Sequence, residues 1–317
     1  MPLPIRSLGW LLIAPFAASA LGQYTVGNNR SISWTLDATA AVAEAQRSER
    51  PMMFWVLSAE GDRVDDVERD QKRAFSDNTV VDLSTRFVPV RMSRSRYRDL
   101  LVRWGLSPST NMEIVFTTPE GDKIDTLSPG GSSNARSLAQ KMALVYRQYR
   151  NQYFEKKIKP VFEDEEAKPQ ALQNGLKRIR EMLTLDADQA VVKLLGREKL
   201  DAGVKTAALE TLATLSTRPA VKELLSRAAD DVKASKVLPT CTPMAAEQML
   251  DVLDGDDAEM KLVIYEAVTK ICRIPNVKPA KFWENAPDRA KSEELQRVKQ
   301  QVGKVARAWR DQYEEYR

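Results

Sequence analysis

No histidine occurs anywhere in the 317 residues. That absence excludes Ser-His-Asp and Cys-His nucleophilic catalysis and every His-ligated metal site. Cysteine is almost as scarce. Cys241 and Cys272 are the only two, too few for a four-thiolate zinc site. After the first twenty residues no stretch is apolar for the ~18 to 20 residues that a membrane-spanning helix needs. An excess of charge of one sign is lacking as well. The 48 basic residues, less Arg6, leave 47 against 44 acidic ones, so no global field drives the chain toward nucleic acid or an anionic membrane. No cofactor or metal site is expected.

What is present begins with a segment that is set aside before any fold is considered. Arg6 supplies a positive lead, Leu8 to Ala18 is an apolar run broken only by Pro15, and Ala18-Ser19-Ala20 has the small-residue pattern of a signal-peptidase site. The run is short for a membrane anchor, so residues 1–20 are expected to be a cleaved signal peptide. No cysteine follows that could carry a lipid. The expected location is therefore periplasmic or extracellular. Residues 21–33 are polar, with Gly and Asn, and read as a flexible lead-in. About 295 residues remain, room for two ordinary domains.

Over residues 34–158 helical and strand patterns alternate. Trp34 to Ala45 has helical spacing of apolar residues, and Met52 to Leu57 is a continuous apolar run suited to a strand buried on both faces. Asp62 to Phe75 reads as a helix, Phe87 to Met92 as a strand and Tyr97 to Trp104 as a helix. Glu113 to Thr117 and Lys123 to Leu127 flank a Pro119-Glu120-Gly121-Asp122 turn and form a hairpin. Ser133-Asn134 then opens a long helix carrying Leu138, Met142, Val145, Tyr149 and Tyr153 on one face. This order predicts a small α/β sandwich with a mixed sheet.

Several pieces of that region resemble the thioredoxin family. Arg50-Pro51-Met52-Met53-Phe54-Trp55-Val56-Leu57 is similar to the family's first buried strand. Phe75-Ser76-Asp77 with Val80-Val81 resembles its F-x-D-x-x-V, and Phe116-Thr117-Thr118-Pro119-Glu120-Gly121 its F-L-D-P-D-G. The resemblance, over roughly residues 34–150, implies a thioredoxin-like fold. It does not extend to the chemistry. Where the family has W-C-x-x-C the chain has Ser58-Ala59-Glu60-Gly61-Asp62-Arg63, without the activated thiolate and resolving thiol that exchange requires. The family's cis-proline position falls near Asn111 or Met112, and neither is proline. The expectation is a fold kept and a reaction lost.

From Pro160 strand signals vanish. Residues 159–169, rich in acids, read as a linker, and 170–317 as helical throughout. Asp201 to Leu215 aligns with Asp257 to Ile271 at a constant offset of 56 residues, and Ala190 to Leu195 resembles Ala220 to Leu225 thirty residues on. Repeating helix pairs are the signature of an α-solenoid, and this half resembles HEAT-type repeats, whose surfaces bind other proteins. Chance similarity between amphipathic helices is the other account of the match.

Four constellations stand out. If Met244 to Leu253 and Ala258 to Ile271 form an antiparallel pair turning at Asp254-Gly255-Asp256, equal helical rise on the two arms brings Cys241 beside Cys272. A structural disulfide is then expected in an oxidising compartment, worth about 3 to 4 kcal/mol by loop entropy. A redox or sensing pair is the other reading. Glu60, Asp62, Asp65, Asp66, Glu68 and Asp70 crowd eleven residues; they lack the D-x-D-x-D-G order of a calcium loop and fit dipole-favoured acids at a helix start, and a cation-binding module over Asp62 to Asp70 is the other reading. Arg91, Arg94, Arg96, Arg98 and Arg103 are interleaved with Tyr97 and Trp104, a pattern that fits a solvated helix face, an acidic partner or, least well in an exported protein, nucleic acid. Leu295, Val298, Val302, Val305, Trp309 and Tyr313 form a stripe that fits a helix closing the solenoid, with Trp309 buried, or a coiled-coil seam. The expected function is protein binding or scaffolding without catalysis, and the alternative is thiol redox or sensing through Cys241 and Cys272.

Overall fold

The computed structural model describes residues 31–57, 66–107 and 111–313. The expected signal segment, residues 21–30 of the lead-in, and Ser58, Ala59, Glu60, Gly61 and Asp62 lie outside the described residues. The first helix, α1 (Ala38–Ser48), starts later than its apolar spacing predicts. The Asp37 carboxylate accepts from the backbone N–H groups of Thr39 and Ala40 at 2.9 and 3.0 Å and sets its N-terminus. Strand β1 (Met52–Leu57) follows with all six side chains buried. After α2 (Asp66–Ala74), Asp77 caps a further helix, α3 (Asn78–Ser84), which apolar spacing did not reveal. Then come β2 (Val88–Ser93), α4 (Arg98–Arg103), and the hairpin of β3 (Ile114–Thr117) and β4 (Lys123–Leu127).

The four strands form one mixed sheet in the order β2-β1-β3-β4, with β2 parallel to β1 and both other pairings antiparallel. Thr35 adds a parallel bridge to Val90 on the free edge of β2. That pairing is why the chain from Trp34 is extended, not helical. Alternation along β1 divides the core. Met53, Trp55 and Leu57 pack with Phe75, Leu83 and Met142 on one face, and Met52, Phe54 and Val56 pack with Ala41, Leu101 and Trp104 on the other. The sheet is thus covered on both sides, which is what its uninterrupted apolar run requires.

A short turn, α5 (Pro129–Ser132), leads into α6 (Ala135–Tyr153), capped by the Asn134 side chain. The expected linker at 159–169 is corrected here. The backbone stays helical through a π-turn at Phe154–Ile158 into α7 (Lys159–Glu163), and only residues 164–168 leave the helix. Pro160 has no N–H, and its ring would meet the carbonyl four residues back in a regular helix. The widened turn, with Lys159 N–H reaching Phe154 O, carries the helix past it.

The remainder is helical: α8 (Pro169–Met182), α9 (Asp188–Leu195), α10 (Ala202–Leu215), α11 (Arg218–Ala228), α12 (Val232–Val237), α13 (Pro243–Met249), α14 (Ala258–Ile271), α15 (Ala280–Asn285) and α16 (Asp288–Tyr313). The 56-residue offset has a structural counterpart: α10 and α14 are both 14 residues long and are capped by Asp201 and Asp257. Packing runs between near neighbours, α10 on α8, α9 and α11, then α11 on α13, and α13 on α14 and α16, over one continuous apolar core. In α16 the buried positions are Glu294, Val298, Val302 and Ala306. Steps of four roll the contact stripe, so Trp309, expected to be buried, is only half-buried. Among the described residues no helix is long and apolar enough to cross a membrane.

The two halves meet at Arg178 of α8. Its guanidinium donates to Ser48 O at 2.6 Å, pairs with Glu49 at 2.8 Å, and lies 5.7 Å from the centre of the Tyr153 ring. Tyr149 donates to Glu49 O at 2.8 Å in the same place.

Candidate functional site

The described part of β1 ends at Leu57. Behind it sits a residue that sequence patterns did not single out. Gln71, on the inner face of α2, is fully buried. Its Oε1 accepts from Trp55 Nε1 at 3.0 Å, and its Nε2 donates to Met112 O at 2.5 Å and to Ser132 Oγ at 2.6 Å. Ser132 Oγ in turn donates toward Ser128 O and Pro129 O, both at 3.1 Å. One neutral amide therefore ties β1, α2, α5 and the entry to β3 together with its donors and acceptor matched.

Asn111 and Met112, the expected cis-proline positions, precede β3. Met112 takes a left-handed φ of +59° and is buried, and its N–H donates to Val56 O at 2.6 Å. A left-handed methionine is costly, and the strand-like bond to Val56 together with the Gln71 bond to its carbonyl hold it there. Trp34, Trp55 and Phe75 cluster nearby with ring centres 4.9 to 5.6 Å apart, and Arg91 lies 5.5 Å over Trp55. Of the basic run, Arg91, Arg96, Arg98 and Arg103 are exposed; Arg96 lies over Tyr97 at 5.6 Å and Arg103 is 3.9 Å from Asp122. Glu60, Asp62 and Asp65 of the acidic cluster fall outside the described residues. Asp66, Glu68 and Asp70 pair along α2 with Arg69, Lys72 and Arg73 at 2.8, 2.7 and 3.4 Å.

The expected disulfide is not formed. Cys241 and Cys272 are free, buried thiols. The predicted helix from Met244 to Leu253 is α13 followed by a tighter 3-10 turn over Leu250–Asp254. A rise of ~2.0 Å in place of ~1.5 Å per residue lengthens that arm by about 2.5 Å, so the equal-rise match fails. Cys241 follows another 3-10 turn, Leu238–Thr240, and its thiol bonds Ser216 at the end of α10. Burial pushes the Cys241 thiol up to about 12 against a smaller lowering by Ser216, and burial pushes Cys272 up to about 11.

No protein-family model matches this chain, and no curated protein sequence aligns with it significantly. What the site can do must therefore be judged from its own residues. The Gln71 amide has both its donors and its acceptor matched.

A second polar network, also unforeseen, lies between α14 and α16. Tyr265, fully buried, donates to Glu294 Oε1 at 2.7 Å and accepts from Lys278 N–H at 2.8 Å. Arg297 grips Glu294 at 2.7 and 2.8 Å and reaches Pro275 O at 3.2 Å. Burial raises Glu294, but the hydrogen bonds from Arg297 and Tyr265 and the Arg297 charge outweigh it and hold the carboxyl below its ordinary value. A depressed folded value stabilises above the unfolded pKa of about 4.3 and loses that contribution as pH falls through the folded value. Urea unfolding between pH 6 and 3 should accordingly show a steeper acid loss for the native chain than for Glu294→Gln. Parallel curves would remove Glu294 from the linkage.

Proposed function

We propose that the chain is an exported, non-catalytic protein-binding or scaffolding protein, built from a thioredoxin-like α/β domain without thiol chemistry and a HEAT-like helical array. Two observations support the two likenesses. The strand order β2-β1-β3-β4 with one parallel pair agrees with a thioredoxin-like sheet. Helix-on-neighbour packing and the equal, Asp-capped α10 and α14 agree with repeats. The clasp at Arg178 and Glu49 would present both halves to a partner as one surface.

The observation that carries the binding reading over the redox one is the state of the two thiols. Exchange needs an accessible thiolate. Cys241 and Cys272 are buried with pKa values of about 12 and about 11. Relative to an ordinary thiol the thiolate fraction at pH 8 falls by about 10³-fold and 10²-fold respectively, before any loss of access. An aromatic disulfide reagent is expected to find no rapidly reacting thiol in the folded chain and two after unfolding in guanidinium. Thiols that react within seconds in the folded chain would restore the redox reading. Because the folded values are raised, their contribution to stability is complete below about pH 8.5 and is lost as pH climbs toward 11 and 12. The binding reading itself is tested by affinity capture from the envelope fraction of the source cell. A near-stoichiometric partner, released when Arg178 is replaced or the exposed arginines are neutralised, supports it; capture at background levels only would remove it.

A further inference from the structure

A pocket of ≈ 200 Å³ opens between α14, α15 and the first turns of α16. Leu262, Tyr265, Trp283 and Leu295 give it apolar walls, and Lys261 and Lys291 also line it. Both lysines are half-buried, and neither forms an ion pair among the described residues. Tyr265 is a fixed wall, because its hydroxyl is committed to Glu294 and Lys278 N–H. The wall that Trp283 supplies is less secured. None of the six residues of α15 is buried, and Trp283 rests on Tyr265 and Phe282 at ring-centre distances of 4.7 and 5.2 Å. The Trp283 indole N–H is itself shut off from solvent without an acceptor.

We propose that this pocket binds a small aromatic carboxylate, its ring against Leu262, Tyr265, Trp283 and Leu295 and its charge met by Lys261 and Lys291. Size and chemistry select that class. An apolar cavity of about 150 Å³ holds benzene, so this one takes a ring with a short arm. Two uncommitted ammonium groups call for an anion, whereas inorganic phosphate would leave the aromatic walls uncovered. The site is separate from the Gln71 network and independent of the binding role proposed above.

The test is isothermal titration of the folded full-length chain with 3-phenylpropionate and with its neutral amide. One saturable site is expected for the acid, with the amide about tenfold weaker. The Lys261→Met, Lys291→Met double variant, which changes only pocket-rim charge, should lose the preference for acid over amide while keeping the native circular dichroism. Equal affinity for acid and amide, or full acid preference without the two lysines, would overturn the proposal. So would the absence of saturable binding up to about 10 mM, a range that covers even weak sites.

Discussion

Replacing Gln71 with alanine is expected to destabilise the α/β domain by about 3 to 5 kcal/mol, the largest effect of any single polar substitution described above. The change strands two buried groups, Trp55 Nε1 and Met112 O, and removes the donor to Ser132 Oγ, which keeps its own bonds to Ser128 O and Pro129 O. Each orphan costs about 1 to 3 kcal/mol, and relaxation around the smaller side chain recovers part of the sum. It also frees Met112 from the bond that helps hold its left-handed φ of +59°. Urea unfolding followed by tryptophan fluorescence reads the effect, because Trp34 and Trp55 lie beside the network. Gln71→Glu separates hydrogen bonding from size. The carboxylate still accepts from Trp55 but cannot donate to Met112 O, so its protonated form is favoured in the folded state. With its folded pKa raised, that variant should be most stable below about pH 4.3 and lose stability as pH rises through the folded value. A shift under about 1 kcal/mol for Gln71→Ala would mean that water replaces the amide at little cost.

Arg178→Ala is expected to cost about 2 to 4 kcal/mol and to split the unfolding of the two halves. Arg178 joins them through Ser48 O, Glu49 and the face of Tyr153, while each half retains its own apolar core. Glu49 is 46 % exposed in this pair, so solvent screens much of the charge term. The short bond to a backbone carbonyl and the stacking on Tyr153 carry more of the effect. Arg178→Lys keeps the charge without the planar fork and should fall between native and alanine. Differential scanning calorimetry decides the outcome: one cooperative transition in the native chain, two in the alanine variant. Retention of a single transition at an unchanged temperature would assign the coupling of the halves to other contacts, with Arg150 the first to examine.

Elements with a strong local signal were legible. Six consecutive apolar residues specified β1, and the Pro119 to Asp122 turn between alternating runs specified the hairpin of β3 and β4. Asn134 marked the start of α6 because its side chain satisfies an N–H at that helix end. The constant offset between Asp201 and Asp257 foretold two helices of equal length. Elsewhere local signals misled. Trp34 and Leu36 have helical spacing, yet Asp37 starts the helix and Thr35 joins β2 instead. Pro160 and the acidic residues after it suggested a break, yet a π-turn carries the helix across.

The candidate sites were less legible than the fold. Gln71 stands among Asp, Glu, Lys and Arg on a helix that looks solvated all round, and nothing in its neighbours in sequence marks it for burial. Its partners are 16, 41 and 61 residues away. The pairing of Cys241 with Cys272 rested on two helices of equal rise, a condition that a single 3-10 turn removes. The Trp283 pocket depends on how α15 settles against Tyr265 and Leu295 from different helices.

By itself the sequence determined which chemistries are closed to this protein, since no fold can supply an imidazole or a third thiol. It also determined the order of strands and helices, because burial patterns and caps act over a few residues. Tertiary structure alone decided where Gln71, Arg178 and Trp283 find their partners and that the two thiols are free and buried. Those outcomes depend on distances between segments far apart in the chain, where a half-ångström change in helical rise per residue shifts the register that sequence spacing implies.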